Sequence, residues 1–151
     1  TLTELTRLYL PEMIARKSGN ILNIASIAAY MPGPYMAVYY ASKAYVKSFS
    51  NAIANELKGT GVIVTAVCPG LTKTGFQQRV GSEQANASKL RLMASSESVA
   101  MAAVKAMNEG RNSVVPGFFN SSIAATSKLI PDGMKSQIIR MIQEFNRKKI
   151  V

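Results

Sequence analysis

The sequence contains no histidine and one cysteine, Cys68. The usual nitrogen and sulfur ligands of a transition-metal site are therefore lacking, and an internal disulfide framework is excluded. A single thiol in an apolar stretch fits inert packing in a reducing, cytoplasmic compartment. Acidic residues are scarce too: 8 Asp and Glu stand against 18 Lys and Arg, a formal net charge of +10. Such an excess raises nucleic acid, an anionic membrane or an acidic ligand as partners. Yet the basic residues are dispersed, only Arg147-Lys148-Lys149 makes a run, and no nucleic-acid motif accompanies them. Solvated helix faces, together with an acidic remainder expected outside these residues, account for the charge. No apolar run approaches the roughly 20 residues a membrane span needs. The first ten residues begin without Met and do not have the plan of a signal peptide.

What is present describes one globular unit. The 151 residues are 48% apolar and 17% charged, enough for a real core and against disorder. Leu2, Leu5, Leu8, Tyr9 and Met13 recur at helical spacing, which predicts a helix over 2–17 with Pro11 kinking it or locally freeing its backbone. A strand is expected over 20–25, apolar enough for burial on both faces. Met31-Pro32-Gly33-Pro34 forces a loop before a helix over 36–57, which Lys58-Gly59-Thr60-Gly61 ends. Residues 62–68 read as a second, β-branched strand, so the pair with its long intervening helix forms a βαβ crossover. Residues 76–94 turn polar and are expected either as a mobile lid over the substrate or as an ordinary solvent loop. Ser95 or Ser96 caps a helix to about 108. A short strand follows over 112–115, then a weakly helical 118–129 and a strongly amphipathic helix over 134–149.

Chemistry concentrates between Gly19 and Lys43. Ser26 ends the first strand, and a hydroxyl at the carboxyl end of a parallel strand points into the crevice where open α/β sheets bind ligands. Tyr39 and Lys43, at i and i+4 of the helix, share one face. A free phenol titrates near about 10 and carries protons poorly at neutral pH, whereas a cation one turn away favours its phenolate. Ser26 can hold the oxygen of a carbonyl or alcohol while Tyr39 gives or takes its proton. That trio suits carbonyl/alcohol interconversion with hydride from a cofactor. The Tyr39/Lys43 pair alone also fits an amphipathic helix with a half-buried phenol and a solvated amine.

Three separated segments, Asn23-Ile24-Ala25-Ser26, Tyr39-Tyr40-Ala41-Ser42-Lys43 and Cys68-Pro69-Gly70-Leu71-Thr72-Lys73-Thr74, together resemble the short-chain dehydrogenase/reductase family. The spacing from Ser26 to Tyr39 fits the same pattern. The resemblance implies that Ser26 orients the substrate oxygen, that Tyr39 is the general acid/base, and that Lys43 binds the nicotinamide ribose and lowers the Tyr39 pKa. It places Pro69, Gly70, Thr72 and Thr74 against the nicotinamide, and it implies a cofactor of NADP, ahead of NAD. It further implies a homo-oligomer, since the family's first and catalytic helices commonly build a dimer interface.

The resemblance also exposes a gap. No glycine-rich turn lies between a strand and a helix to meet a pyrophosphate, and the segment that separates NAD from NADP is absent. The expectation is therefore a Rossmann-like doubly wound parallel sheet of α/β class, represented only by its carboxyl-terminal part of about three strands with flanking helices. Residues 1–151 then form a single partial domain, the catalytic and substrate-side half, without the amino-terminal dinucleotide-binding half. Unpaired sheet edges are expected to be met by another chain or by upstream residues. The expected function is NAD(P)-dependent interconversion of a carbonyl and a secondary alcohol on an apolar small molecule, with little cofactor binding by these 151 residues alone. Two alternatives come from other classes: a catalytically silent oligomerisation or interaction module, and membrane-surface association through the last helix, which otherwise packs on a core.

Overall fold

Residues Val62 to Val67 form β2, buried at every position except Ile63, and the rest of the sheet is laid beside them. The computed structural model describes residues 1–74 and 93–148. In chain order these hold α1 (Leu2–Ala15), β1 (Gly19–Ile24), a 3-10 turn (Ile27–Tyr30), α2 (Ala37–Glu56), β2, β3 (Thr72–Lys73), β4 (Ala94–Ser95), α3 (Ser96–Asn108), β5 (Ser113–Val114), α4 (Phe118–Ser127) and α5 (Asp132–Lys148).

The sheet order is β1-β2-β5, and both pairings are parallel. Gly19 stands opposite Val62 and Ile24 opposite Val67, so the two strands run level from end to end. Alternation along the strands sends apolar side chains to both faces. On one, Val62 and Val64 pack with Ala54 of α2 and Leu57 just after it, and Leu10 and Met13 of α1 close over them. On the other, Val67 and Val114 pack with Ala103 and Ala106 of α3. Burial of a valine such as Val67 contributes on the order of 2 kcal/mol.

Thr65, Asn23 and Ser50 are satisfied internally. Thr65 Oγ1 donates to the Arg111 carbonyl at 2.7 Å. Asn23 donates from Nδ2 to Ser50 Oγ at 2.9 Å, and Ser50 donates onward to the Val46 carbonyl at 2.7 Å. An asparagine in a strand is tolerated because a helix hydroxyl meets it.

α1 contains Pro11 as expected; the missing N–H removes one bond to the Arg7 carbonyl without ending the element. Several expectations shift by a residue or two, and two differ in kind. The loop after Ser26 begins with the 3-10 turn, which the sequence pattern did not suggest. A separate two-stranded parallel sheet pairs β3 with β4, so Ala94 belongs to a strand and not to the segment expected as a lid. Most of that expected lid, 76–92, lies outside the described residues. Among those described, no helix is long and apolar enough to cross a membrane.

Candidate active site

β1 and β2 end at the same level, and the chain continues their pairing into the loops. Ala25 N–H donates to the Val67 carbonyl at 2.7 Å, and Ile27 N–H donates to the Pro69 carbonyl at 2.9 Å. Ser26, between them, is thereby held beside Cys68 and Pro69. Its backbone is extended and its side chain 9% exposed. Its Oγ accepts the Ala28 N–H at 3.1 Å, the contact that caps the 3-10 turn.

α2 brings its residues to this strand end from above. Lys43 Nζ donates to the Ile24 carbonyl at 3.0 Å, two residues before Ser26. One turn earlier, the Tyr39 ring centroid lies 5.9 Å from that nitrogen, at the outer limit of a cation–π contact. Tyr39 also meets Tyr40 edge to face, centroids 5.9 Å apart. Burial pulls the Lys43 ammonium below its ordinary range, partly opposed by its electrostatic interaction with Cys68. Lys43 and Ser26 are thus tied to the same strand terminus, with Tyr39 on the helix face above.

Tyr40 has its own demand. Its ring lies against Gly33 so closely that a Cβ at position 33 would overlap the ring's inner atoms. The glycine of the Pro-Gly-Pro loop is needed for that approach, not merely for turning.

Cys68 and Tyr30 knit the two loops together. Burial pushes the Cys68 thiol up, while Tyr30, Lys47, the Ser26 backbone and Lys43 nearby partly offset that rise. Burial, then the sulfur, push the Tyr30 phenol up in turn, and Lys47 Nζ sits 4.7 Å from the Tyr30 ring centroid. Tyr30 was not among the sequence candidates; only its place four residues after Ser26 could have pointed to it.

The Pro69-Gly70 turn lies under the start of α4. Any side chain at position 70 would run into Asn120, whose Nδ2 is fixed to the Pro116 carbonyl at 3.1 Å. Thr72 Oγ1 donates to the Gly70 carbonyl at 3.1 Å, and Thr74 closes the first described segment just beyond β3. So Ser26, Lys43, Pro69 and Gly70 gather at one end of the sheet, with Thr72 and Thr74 trailing from it. Among the described residues no group of three or more His, Cys, Asp or Glu could hold a metal ion.

Comparison with known proteins agrees with this architecture. A model of the family described as short chain dehydrogenase matches residues 1–85. A ketoacyl reductase, HetN, of Nostoc sp. is 42% identical over 113 residues, 74% of this chain and 38% of the relative. A very-long-chain 3-oxoacyl-CoA reductase of Mus musculus is 42% identical over 71 residues, 47% of this chain and 23% of the relative. Among solved structures, a short-chain dehydrogenase from Sphingobium yanoikuyae in complex with NADPH superposes with a TM-score of 0.69 at 26% identity, covering 85% of this chain and 51% of its own. The chain thus spans well under half the length of these two curated relatives.

Proposed function

This chain belongs to the short-chain dehydrogenase family, and on that premise we propose that the whole protein is an NAD(P)-dependent oxidoreductase interconverting a carbonyl and a secondary alcohol. Ser26 holds the substrate oxygen, Tyr39 passes its proton, and Lys43 stabilises the charge that develops on the phenol oxygen. The observation that carries the reading is the Lys43–Ile24 contact at 3.0 Å, which fixes an ammonium beside both the Ser26 strand end and the Tyr39 turn.

The residues gathered there suit a nicotinamide cofactor. Hydroxyl and ammonium donors stand where parallel strands end, the place such folds bind nucleotides. Lys43 would hold the ribose, and Pro69, Gly70, Thr72 and Thr74 the nicotinamide ring and its carboxamide. When bound, the cofactor supplies or accepts hydride. NADP stands ahead of NAD because the similar Sphingobium enzyme was solved with NADPH. The similar ketoacyl and 3-oxoacyl-CoA reductases make a 3-oxoacyl thioester the first substrate to assay.

Within the whole protein, residues 1–151 supply the catalytic and substrate-side part of the domain. The edge of β1 that does not face β2 accepts the remaining strands, which carry the pyrophosphate-binding turn. Exposed Leu5, Leu8 and Tyr9 on α1, with Val38 and Tyr45 on α2, support assembly as a homo-oligomer. The buried Cys68 thiol is consistent with a reducing cytoplasm.

The test is steady-state turnover of full-length protein with NADPH and NADH on a panel of ketones and 3-oxoacyl thioesters. Replacing Tyr39 by Phe should lower kcat/KM by about 10²- to 10⁴-fold. Unchanged turnover in that variant removes the mechanism.

A further inference from the structure

Tyr35 precedes Tyr39 by one turn's worth of chain and has a φ of 66°. A bulky side chain enters that left-handed region only where its surroundings hold it there. Here α5 does the holding. The Tyr35 hydroxyl donates to Glu144 Oε1 at 2.6 Å across 109 residues of chain, and Arg140 Nε donates to the same oxygen at 2.8 Å. Next to it, Gln143 donates from Nε2 to Met36 Sδ at 3.5 Å, and it offsets part of the rise that burial imposes on the Tyr40 phenol. Met36 is the residue from which α2 starts, its carbonyl accepting the Tyr40 N–H at 3.1 Å.

Two consecutive residues of α5 therefore grip Tyr35 and Met36, which lead directly into the turn that carries Tyr39. Apolar packing does little to seat α5: Met134, Ile138, Met141, Ile142 and Phe145 are all exposed among the described residues. A cleft of about 380 Å³ lined by Pro34, Tyr35, Ser136, Gln137 and Arg140 opens along the same seam. The polar contacts set the register of helix against loop.

We propose that Gln143 and Glu144 are positioning residues for the proton carrier, fixing the turn that enters α2 and so the direction of the Tyr39 hydroxyl. The inference rests on the reading of Tyr39 given above. A misplacement of about 1 Å in a reacting group can cost on the order of 10²-fold in rate. Loss of one of several contacts should cost part of that.

The experiment uses full-length protein and measures kcat, KM for the cofactor and for the ketone, and the pH profile of kcat. Tyr35→Phe and Glu144→Ala should each lower kcat about five- to tenfold, with KM for the cofactor held within about twofold. The double variant should be no worse than Glu144→Ala alone, because that substitution already removes the contact that Tyr35→Phe removes. Glu144→Gln keeps an acceptor oxygen and should restore most of the rate. Tyr35→Phe deletes one oxygen and spares the packing, so it reports even where Glu144→Ala does not fold. An undiminished kcat in Tyr35→Phe, losses that multiply in the double variant, or a Gln variant as poor as the Ala one each overturns the proposal. Tyr39→Phe is run beside them. If it keeps full turnover, the proton-carrier reading falls and takes this inference with it; if it alone loses turnover, only the positioning role falls.

Discussion

The Lys43 ammonium donates to the Ile24 carbonyl at 3.0 Å, tying the second turn of α2 to the last residue of β1. A helix resting on a sheet can slide or rotate; a charged donor on a strand-end carbonyl pins it where Ser26 begins. The cost is partial burial of a cation, which shows as the lowered Lys43 pKa.

That burial gives a first prediction. Below its ordinary 10.5, the folded Lys43 releases its proton earlier than the unfolded chain does. Between the lowered value and 10.5 the unfolded state binds more protons, so stability rises with pH across that window. Lys43→Met removes the charge and should flatten this rise. Its stability relative to the native protein should be higher at pH 7 than at pH 10.5, read from denaturant midpoints. A pH-independent difference contradicts the burial argument. The same variant should lose about 100-fold or more in kcat/KM.

Cys68 predicts the opposite trend. Its folded pKa lies above the ordinary 9.0, chiefly through burial. The native thiol keeps its proton where the unfolded one has lost it, so stability falls as pH rises past 9.0 towards the raised value. The slope is at most about 1.4 kcal/mol per pH unit. Cys68→Ala should reduce the fall measured between pH 8 and pH 9.5. In the native protein the thiol should resist alkylation at pH 8 while the denatured chain reacts at once.

Gly33 predicts a packing cost next to the site. An alanine methyl there overlaps the Tyr40 ring near its root, where the side chain cannot swing clear. Gly33→Ala should destabilise by about 1–3 kcal/mol as an overpacked position. It should also lower kcat, since Tyr40 is the edge-to-face neighbour of Tyr39. Thermal denaturation and turnover on one preparation check both; a variant as stable and as fast as the native protein contradicts the fit.

Elements whose cause is local were legible in the sequence. The β-branched run at 62–67 is a central strand because it can be buried on both faces, and Ser95 caps α3 with its Oγ accepting the Ser98 N–H at 3.1 Å. The gathering of Ser26, Lys43 and the Pro69-Gly70 turn at one sheet end also follows, because parallel strands of equal length finish together. What escaped was set at a distance. The turn at Ile27–Tyr30 forms because Ser26 caps it and the Ile27 N–H reaches Pro69. β3 and β4 are two residues each and exist only by pairing with one another. Nothing near Tyr35 announces that Glu144 will hold it. Ser26, Tyr39 and Lys43 came from residue type and spacing, and Pro69, Gly70, Thr72 and Thr74 from the family resemblance; the contacts that aim them came from the fold.

The level ending of β1 and β2 has a converse at their other end. The hinge from α2 into β2, Lys58 to Gly61, opens on the side of the sheet remote from Ser26, and Gly59 there faces empty space. A reporter peptide or purification handle grafted at Gly59 should leave the candidate site undisturbed, so one rim of this molecule is open to engineering while the opposite rim carries Ser26, Lys43 and the Pro69-Gly70 turn.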